Sequence, residues 1–183
     1  MIKETRSFEI QNVKLFDIKS YKDFRGMFSE VYLSKLNYPE FQIKYVQENE
    51  SISNFGVFRG MHFQKNEFSQ SKLIRVVKGK ALDVICDLRK SSPTFKKIIF
   101  IKLKINQILF LPKGIAHGFL SLEDGTIFNY KCDNYYNKNY ESGFNLFKSK
   151  IDMNFPLDFK QIIISEKDKS LPSINNSYIY EHL

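Results

Sequence analysis

KLIRVVKGKALDVICDL, residues Lys72 to Leu88, is the stretch that decides the fold class. Lys78-Gly79-Lys80 supplies a turn between two apolar runs, so the stretch predicts a β-hairpin. After the turn, Leu82, Val84, Cys86 and Leu88 alternate with Asp83 and Asp87, the period of two that sends successive side chains to opposite faces of a strand. Downstream, Ser91-Ser92-Pro93-Thr94 marks another turn, and Ile99, Ile101, Leu103 and Ile105 then share one face while Lys102 and Lys104 take the other. Ile108 to Leu111 is a short apolar run halted by Pro112-Lys113-Gly114, and Glu123-Asp124-Gly125 turns the chain into a strand over Thr126 to Asp133. Many short strands with regular punctuation predict an all-β chain, a single domain over residues 1–183 built as a jelly-roll-like β-barrel. Short peripheral helices are expected near Leu33 to Leu36 and after Ser165, where Ser165-Glu166-Lys167-Asp168 resembles a capping box. The polar tail, residues 173–183, is expected to be loosely held.

Composition agrees with this architecture and narrows the partner. Eighteen Phe and ten Tyr without any Trp suit strands and ring-lined pockets better than helical bundles. The net charge of +8 favours an anionic partner, but the basic residues are scattered, and no helix-turn-helix, zinc-finger or aromatic RNA-binding signature accompanies them. A small phosphorylated ligand therefore outweighs a nucleic acid. The two cysteines, Cys86 and Cys132, lie in separate predicted strands and form no C-x-x-C pair, which fits a reducing compartment. Met1 to Gln11 lacks an apolar signal core, and Lys102 and Lys104 interrupt the richest hydrophobic stretch, Ile98 to Ile108, so the expectation is a cytoplasmic protein without a membrane partner.

Three segments set reactive side chains beside glycines, where a backbone can turn sharply or approach a ligand: Asp23-Phe24-Arg25-Gly26, Arg59-Gly60-Met61-His62 and Pro112-Lys113-Gly114-Ile115-Ala116-His117. Taken alone, each His is more readily read as a hydrogen-bonded structural residue. Pro112-x-Gly114-x-x-His117 resembles the second motif of the cupin barrels. Metal-binding cupins offer a His-x-His pair and a Glu in the first motif. Here Phe63 and Gln64 follow His62, too few imidazoles and carboxylates to close a metal site, and no metal or other cofactor is expected.

Several further segments together resemble the dTDP-4-dehydrorhamnose 3,5-epimerase family. They are Asp23 to Phe28, Gln47-Glu48-Asn49 with Ser51 and Ser53, Gly56 to Gln64, Gln70 to Val76, Asp87 to Phe95 and the His117 segment ending in Gly118-Phe119. Tyr130-Lys131, Asn134-Tyr135-Tyr136 and Ser165 to Asp168 complete the set, which runs in order from about Val13 to Pro172. The resemblance implies a cupin-type barrel, usually a homodimer, that epimerises a nucleotide-diphosphate keto sugar at the carbons flanking its C4 ketone. It implies His62 as base, Tyr130 as acid, Asp168 as the group orienting His62, and Lys72 at the developing oxyanion. It also carries Arg25, Glu30, Gln47, Asn49, Arg59, His117, Glu141 and Lys167 into substrate contacts and Tyr136 into stacking on the base.

The residues themselves bear on these roles. Inversion through an enolate needs a base on one face, an acid on the other and a stabiliser for the oxyanion. Lys72 has the parity of Ile74 and Val76, and Tyr130 that of Phe128 and Cys132, so both point inward if their strands are regular. The bland readings are a core tyrosine and, for Asp168, a helix cap. Strict alternation sets Arg59 and His62 on opposite faces unless Gly60 marks a bulge. The chain departs from the family in having Phe147 and Phe155 where Trp is frequent, and Asn66-Glu67-Phe68 in place of a Pro-containing loop. A C3-only epimerase, an epimerase of GDP-linked keto-heptoses and a non-catalytic sugar-nucleotide-binding barrel remain as alternatives.

Overall fold

The computed structural model describes residues 2–149 and 155–183. Among the described residues thirteen strands follow in chain order: β1 (Ile2–Ser7), β2 (Lys14–Ile18), β3 (Ser20–Asp23), β4 (Gly26–Ser29), β5 (Gln47–Ser53), β6 (Phe58–Gln64), β7 (Lys72–Lys78), β8 (Ala81–Asp87), β9 (Ile98–Leu103), β10 (Gln107–Leu111), β11 (Ile115–Ser121), β12 (Thr126–Cys132) and β13 (Glu141–Gly143). Six form one antiparallel sheet in the order β1-β2-β10-β7-β12-β5, and five form a second in the order β13-β6-β11-β8-β9. β3 and β4 make a separate hairpin. The expected all-β jelly roll is the architecture observed.

Three apolar layers hold the sheets. Inside the barrel, Ile74, Val76, Leu109 and Phe128 of the larger sheet meet Ala81, Ile85, Ile101 and Phe119 of the smaller. Phe119 and Phe128 lie parallel across this interior with centroids 3.9 Å apart. The outer face of the smaller sheet (Met61, Leu82, Val84, Cys86) is covered by Phe144, Leu146, Ile174 and Tyr180 from the C-terminal third. Phe41 and its neighbours cover Phe16, Leu73 and Ile108 on the larger sheet.

The outer layers explain where the sequence reading fails. β7 and β8 are not a hairpin: β7 pairs with β10 and β12, whereas β8 pairs with β9 and β11, so the turn at Gly79 carries the chain from one sheet to the other. Because β8 is covered on both sides, Asp83 and Asp87 face the interior rather than water, and both are fully buried. Asp87 is satisfied by Arg89, Ser92 and Thr94. The helix expected near Leu33 lies later, as α1 (Pro39–Gln42), with Pro39 in the first turn where a missing N–H costs nothing. The helix after Ser165 is present as α2 (Glu166–Ser170). The tail, expected to be loose, is tied down: Tyr180 is buried, its N–H donates to the Leu88 carbonyl at 2.9 Å, and the Lys90 N–H donates to its own carbonyl at 2.9 Å.

Candidate active site

A cavity of about 550 Å³ opens between the two sheets. From the smaller sheet it receives Arg59, His62 and His117, from the larger sheet Asn49, Lys72 and Tyr130, and from α2 Lys167 and Asp168. Arg59 and His62 share a face because β6 carries one extra residue. Against β11, His62 stands opposite His117 and Arg59 opposite Phe119, three steps on one strand against two on the other. Gly60 takes up the difference at φ +134°, and a Cβ there would come within 2.5 Å of the Gly118 Cα, so only glycine fits.

His62 Nε2 lies 2.6 Å from Asp168 Oδ1. The Gly60 N–H donates to the other carboxylate oxygen at 3.3 Å. The reading of Asp168 as a cap is thereby displaced: the helix is capped by Ser165 Oγ, which accepts the Asp168 N–H at 3.1 Å, while the Asp168 carboxylate turns to His62. Burial alone would raise this carboxyl, but the His62 ring, the Gly60 N–H and nearby Lys167 outweigh burial and hold it below the usual carboxylate range. An ionised Asp168 on Nε2 assigns the proton to that nitrogen and leaves Nδ1 free to accept one.

Tyr130 and Lys72 face this pair from the other sheet. The Lys72 ammonium sits 5.4 Å from the Tyr130 ring centroid, and the residue is almost entirely buried. Burial raises the Tyr130 phenol above its ordinary value and lowers the Lys72 ammonium below its own, since each loses solvation in its charged form. At the base of the cavity His117 Nε2 approaches Asp83 Oδ1 at 2.8 Å, off the axis of a well-formed hydrogen bond. Asp83 was missed as a site residue. The signal was present, two aspartates in a strand otherwise wholly apolar, but it reads as a solvent face until both sides of β8 are known to be covered.

At the rim, Lys167 Nζ and the Tyr136 hydroxyl donate to the two oxygens of Glu141 at 2.6 and 3.0 Å. Gln47 accepts the Tyr136 N–H at 2.8 Å and donates to Asn49 at 3.0 Å. Arg59 Nε donates to Ser53 Oγ at 3.0 Å. Arg25 and Glu30 are the two candidates the fold does not bring in. Arg25 lies on the β3–β4 hairpin, paired with Asp23 and exposed, and Glu30 follows it in the open. The physical reason is that this hairpin pairs with neither sheet. Among the described residues no three His, Cys, Asp or Glu side chains converge as metal ligands, and no helix is long and apolar enough to cross a membrane.

The sequence model of the dTDP-4-dehydrorhamnose 3,5-epimerases matches residues 7–176. The chain belongs to that family. The dTDP-4-dehydrorhamnose 3,5-epimerase of Methanothermobacter thermautotrophicus is 39% identical over 164 residues, 87% of this chain and 88% of that protein. Among solved structures, the Bacillus anthracis dTDP-4-dehydrorhamnose 3,5-epimerase with TDP and PPi bound is 39% identical and superposes with a TM-score of 0.87 over 95% of this chain and all of that one. The Legionella pneumophila dTDP-6-deoxy-D-glucose-3,5-epimerase in complex with dTDP-4-keto-L-rhamnose is 31% identical, with a TM-score of 0.90 over the full length of both. In this chain the His62–Asp168 pair on one side of the cavity faces Tyr130 and Lys72 on the other.

Proposed function

We propose that the chain epimerises C3 and C5 of dTDP-4-keto-6-deoxyglucose, by proton exchange between His62 and Tyr130 across the barrel. The carrying observation is the placement of a carboxylate-paired imidazole on one sheet and a buried phenol with a buried ammonium on the other, with a substrate-sized cavity between. His62 Nδ1 takes the proton from a carbon beside the ketone, and the bonding pair moves into the carbonyl to give an enolate. Asp168 stabilises the imidazolium that forms. Lys72 meets the enolate oxygen, and a single preorganised donor of this kind is worth about 10²–10³ in rate. Tyr130 returns a proton from the opposite face, which inverts the centre, and its raised pKa keeps that proton in place at neutral pH. Solvent then takes the proton from the His62 imidazolium and returns one to the Tyr130 phenolate, and the reset pair repeats the cycle at the second carbon. Arg59 and Lys167 supply positive side chains for the pyrophosphate, His117 adds an imidazole to the substrate contacts, and the exposed Tyr136 ring at the rim suits the flat base.

The same reading extends to a homodimer. Phe24, Met27 and Phe28 are 98, 51 and 69% exposed on a hairpin that also carries Arg25, and none of them lines the chain's own cavity. A second copy is the occupant that accounts for both facts: the apolar side chains are covered, and Arg25 and Glu30 reach a nucleotide held in the neighbouring cavity. Product stereochemistry, followed by NMR with the purified protein and dTDP-4-keto-6-deoxyglucose, tests the assignment. Inversion at both centres is expected, with His62→Ala and Tyr130→Phe slower by about 10²–10⁴-fold. An unchanged sugar with the parent protein would sink it.

A further inference from the structure

Asn145 touches no part of the cavity, yet it is only 6% exposed and its side chain is fully engaged with backbone. Nδ2 donates to the carbonyls of Asp168 and Lys169 at 3.2 and 3.3 Å, and Oδ1 accepts from the N–H groups of Phe147 and Lys148 at 2.9 and 3.1 Å. That exhausts the two donors and two lone pairs of a primary amide. Its backbone N–H also donates to the Pro172 carbonyl at 2.7 Å, just past the helix.

The helix so held is α2, five residues long, far below the length at which a helix stands unaided in water. Of its last carbonyls, that of Asp168 accepts the Leu171 N–H at a long 3.4 Å, and Asn145 donates to those of Asp168 and Lys169. Ser165 secures the other end. Asn145 is itself fixed to the strand that bears His62. Met61 and Phe144 exchange both backbone hydrogen bonds, at 3.1 and 3.2 Å, and Gly143 stands opposite His62. The result is a closed loop of contacts from His62 through β6, β13, Asn145 and α2 to Asp168, shut by the 2.6 Å contact between His62 and Asp168.

We propose that Asn145 is a positioning residue for the epimerisation, a clamp that sets the distance between Asp168 and His62 without touching substrate. The inference rests on His62 and Asp168 having the roles given above. A base displaced by about 1 Å loses on the order of 10²-fold in rate, so the clamp has catalytic consequence although it lies behind the helix.

The test is a double-mutant cycle in the full chain. Asn145→Ala is expected to lower kcat by about 10–100-fold and to change KM less, and in an Asp168→Asn background the same substitution is expected to cost under about twofold more. The ¹⁵N spectrum of the imidazoles, with His62 assigned by its loss in His62→Ala, should show the Nε2-protonated tautomer depleted in Asn145→Ala. If Asn145→Ala does not fold, Asn145→Asp serves in the same cycle, because it keeps the acceptor and replaces only the donor. Losses that multiply with Asp168→Asn, or a tautomer and kcat equal to the parent's, would overturn the proposal and leave Asn145 a stabilising residue only. Failure of the underlying reading shows separately, as full activity in His62→Ala, and the tautomer spectrum does not depend on turnover.

Discussion

Lys72 and Tyr130 sit side by side on the larger sheet, and burial moves their titrations in opposite directions. The ammonium loses its proton below a lysine's ordinary 10.5, while the phenol holds its proton above a tyrosine's ordinary 10.0. Both must be protonated for the proposed chemistry, and because burial draws Lys72 down while it pushes Tyr130 up, the alkaline limb of kcat/KM is expected to follow Lys72. That limb is expected below pH 10.5, to persist in the residual activity of Tyr130→Phe and to vanish in Lys72→Arg, whose guanidinium does not titrate. A limb that follows Tyr130 instead would contradict the assignment. At this scale the sequence was informative wherever strand parity sufficed, as for Lys72 and Tyr130. Asp83 reads as a solvent-facing residue until both faces of β8 are known to be covered. Asp168 could be read as cap or partner, and only the direction of its carboxylate decides between them.

The bulge in β6 is the element on which the site turns. Gly60 lets Arg59 and His62 face one cavity, and alanine there meets both a backbone angle reserved for glycine and the Gly118 Cα at 2.5 Å. Gly60→Ala is expected to destabilise the fold by about 1–3 kcal/mol in denaturant titration and to lower kcat/KM beyond what the folded fraction explains. Parent-like stability and activity would mean that β6 accommodates the change without moving His62. Period-two alternation revealed most of the strands, but not which sheet each joins. A Lys-Gly-Lys turn serves a hairpin and a sheet-to-sheet crossing equally, and the difference lies in pairings with β10, β11 and β12, remote in sequence. The first helix lies later than the expected Leu33 to Leu36, because Pro39, whose fixed backbone angle suits a first helical turn, marks its start. The tail looked polar on average, yet its anchors, Ile174 and Tyr180, are single residues whose partners lie on the smaller sheet and its covering layer.

For the whole molecule, the two-sheet barrel supplies the frame, and the separate β3–β4 hairpin is the part that the proposed dimer would cover. Sedimentation is expected to give a dimer, and Phe24→Asp combined with Phe28→Asp to weaken it. Arg25→Ala is expected to raise KM by about 10–100-fold, the loss of one charge-assisted hydrogen bond, with the dimer intact. A fully active monomer would remove this part of the account. The jelly roll was legible from strand punctuation, whereas the dimer is an expectation that comes from the resemblance alone, since nothing in an isolated hairpin's sequence says what it covers. The central claim is that one base and one acid exchange solvent protons at two carbons of a keto sugar. Incubation with dTDP-4-keto-6-deoxyglucose in D₂O, read by mass spectrometry of the sugar, measures that directly. The account predicts two deuterons per sugar, both lost in His62→Ala. No uptake by the folded parent, or uptake undiminished in His62→Ala, would contradict it.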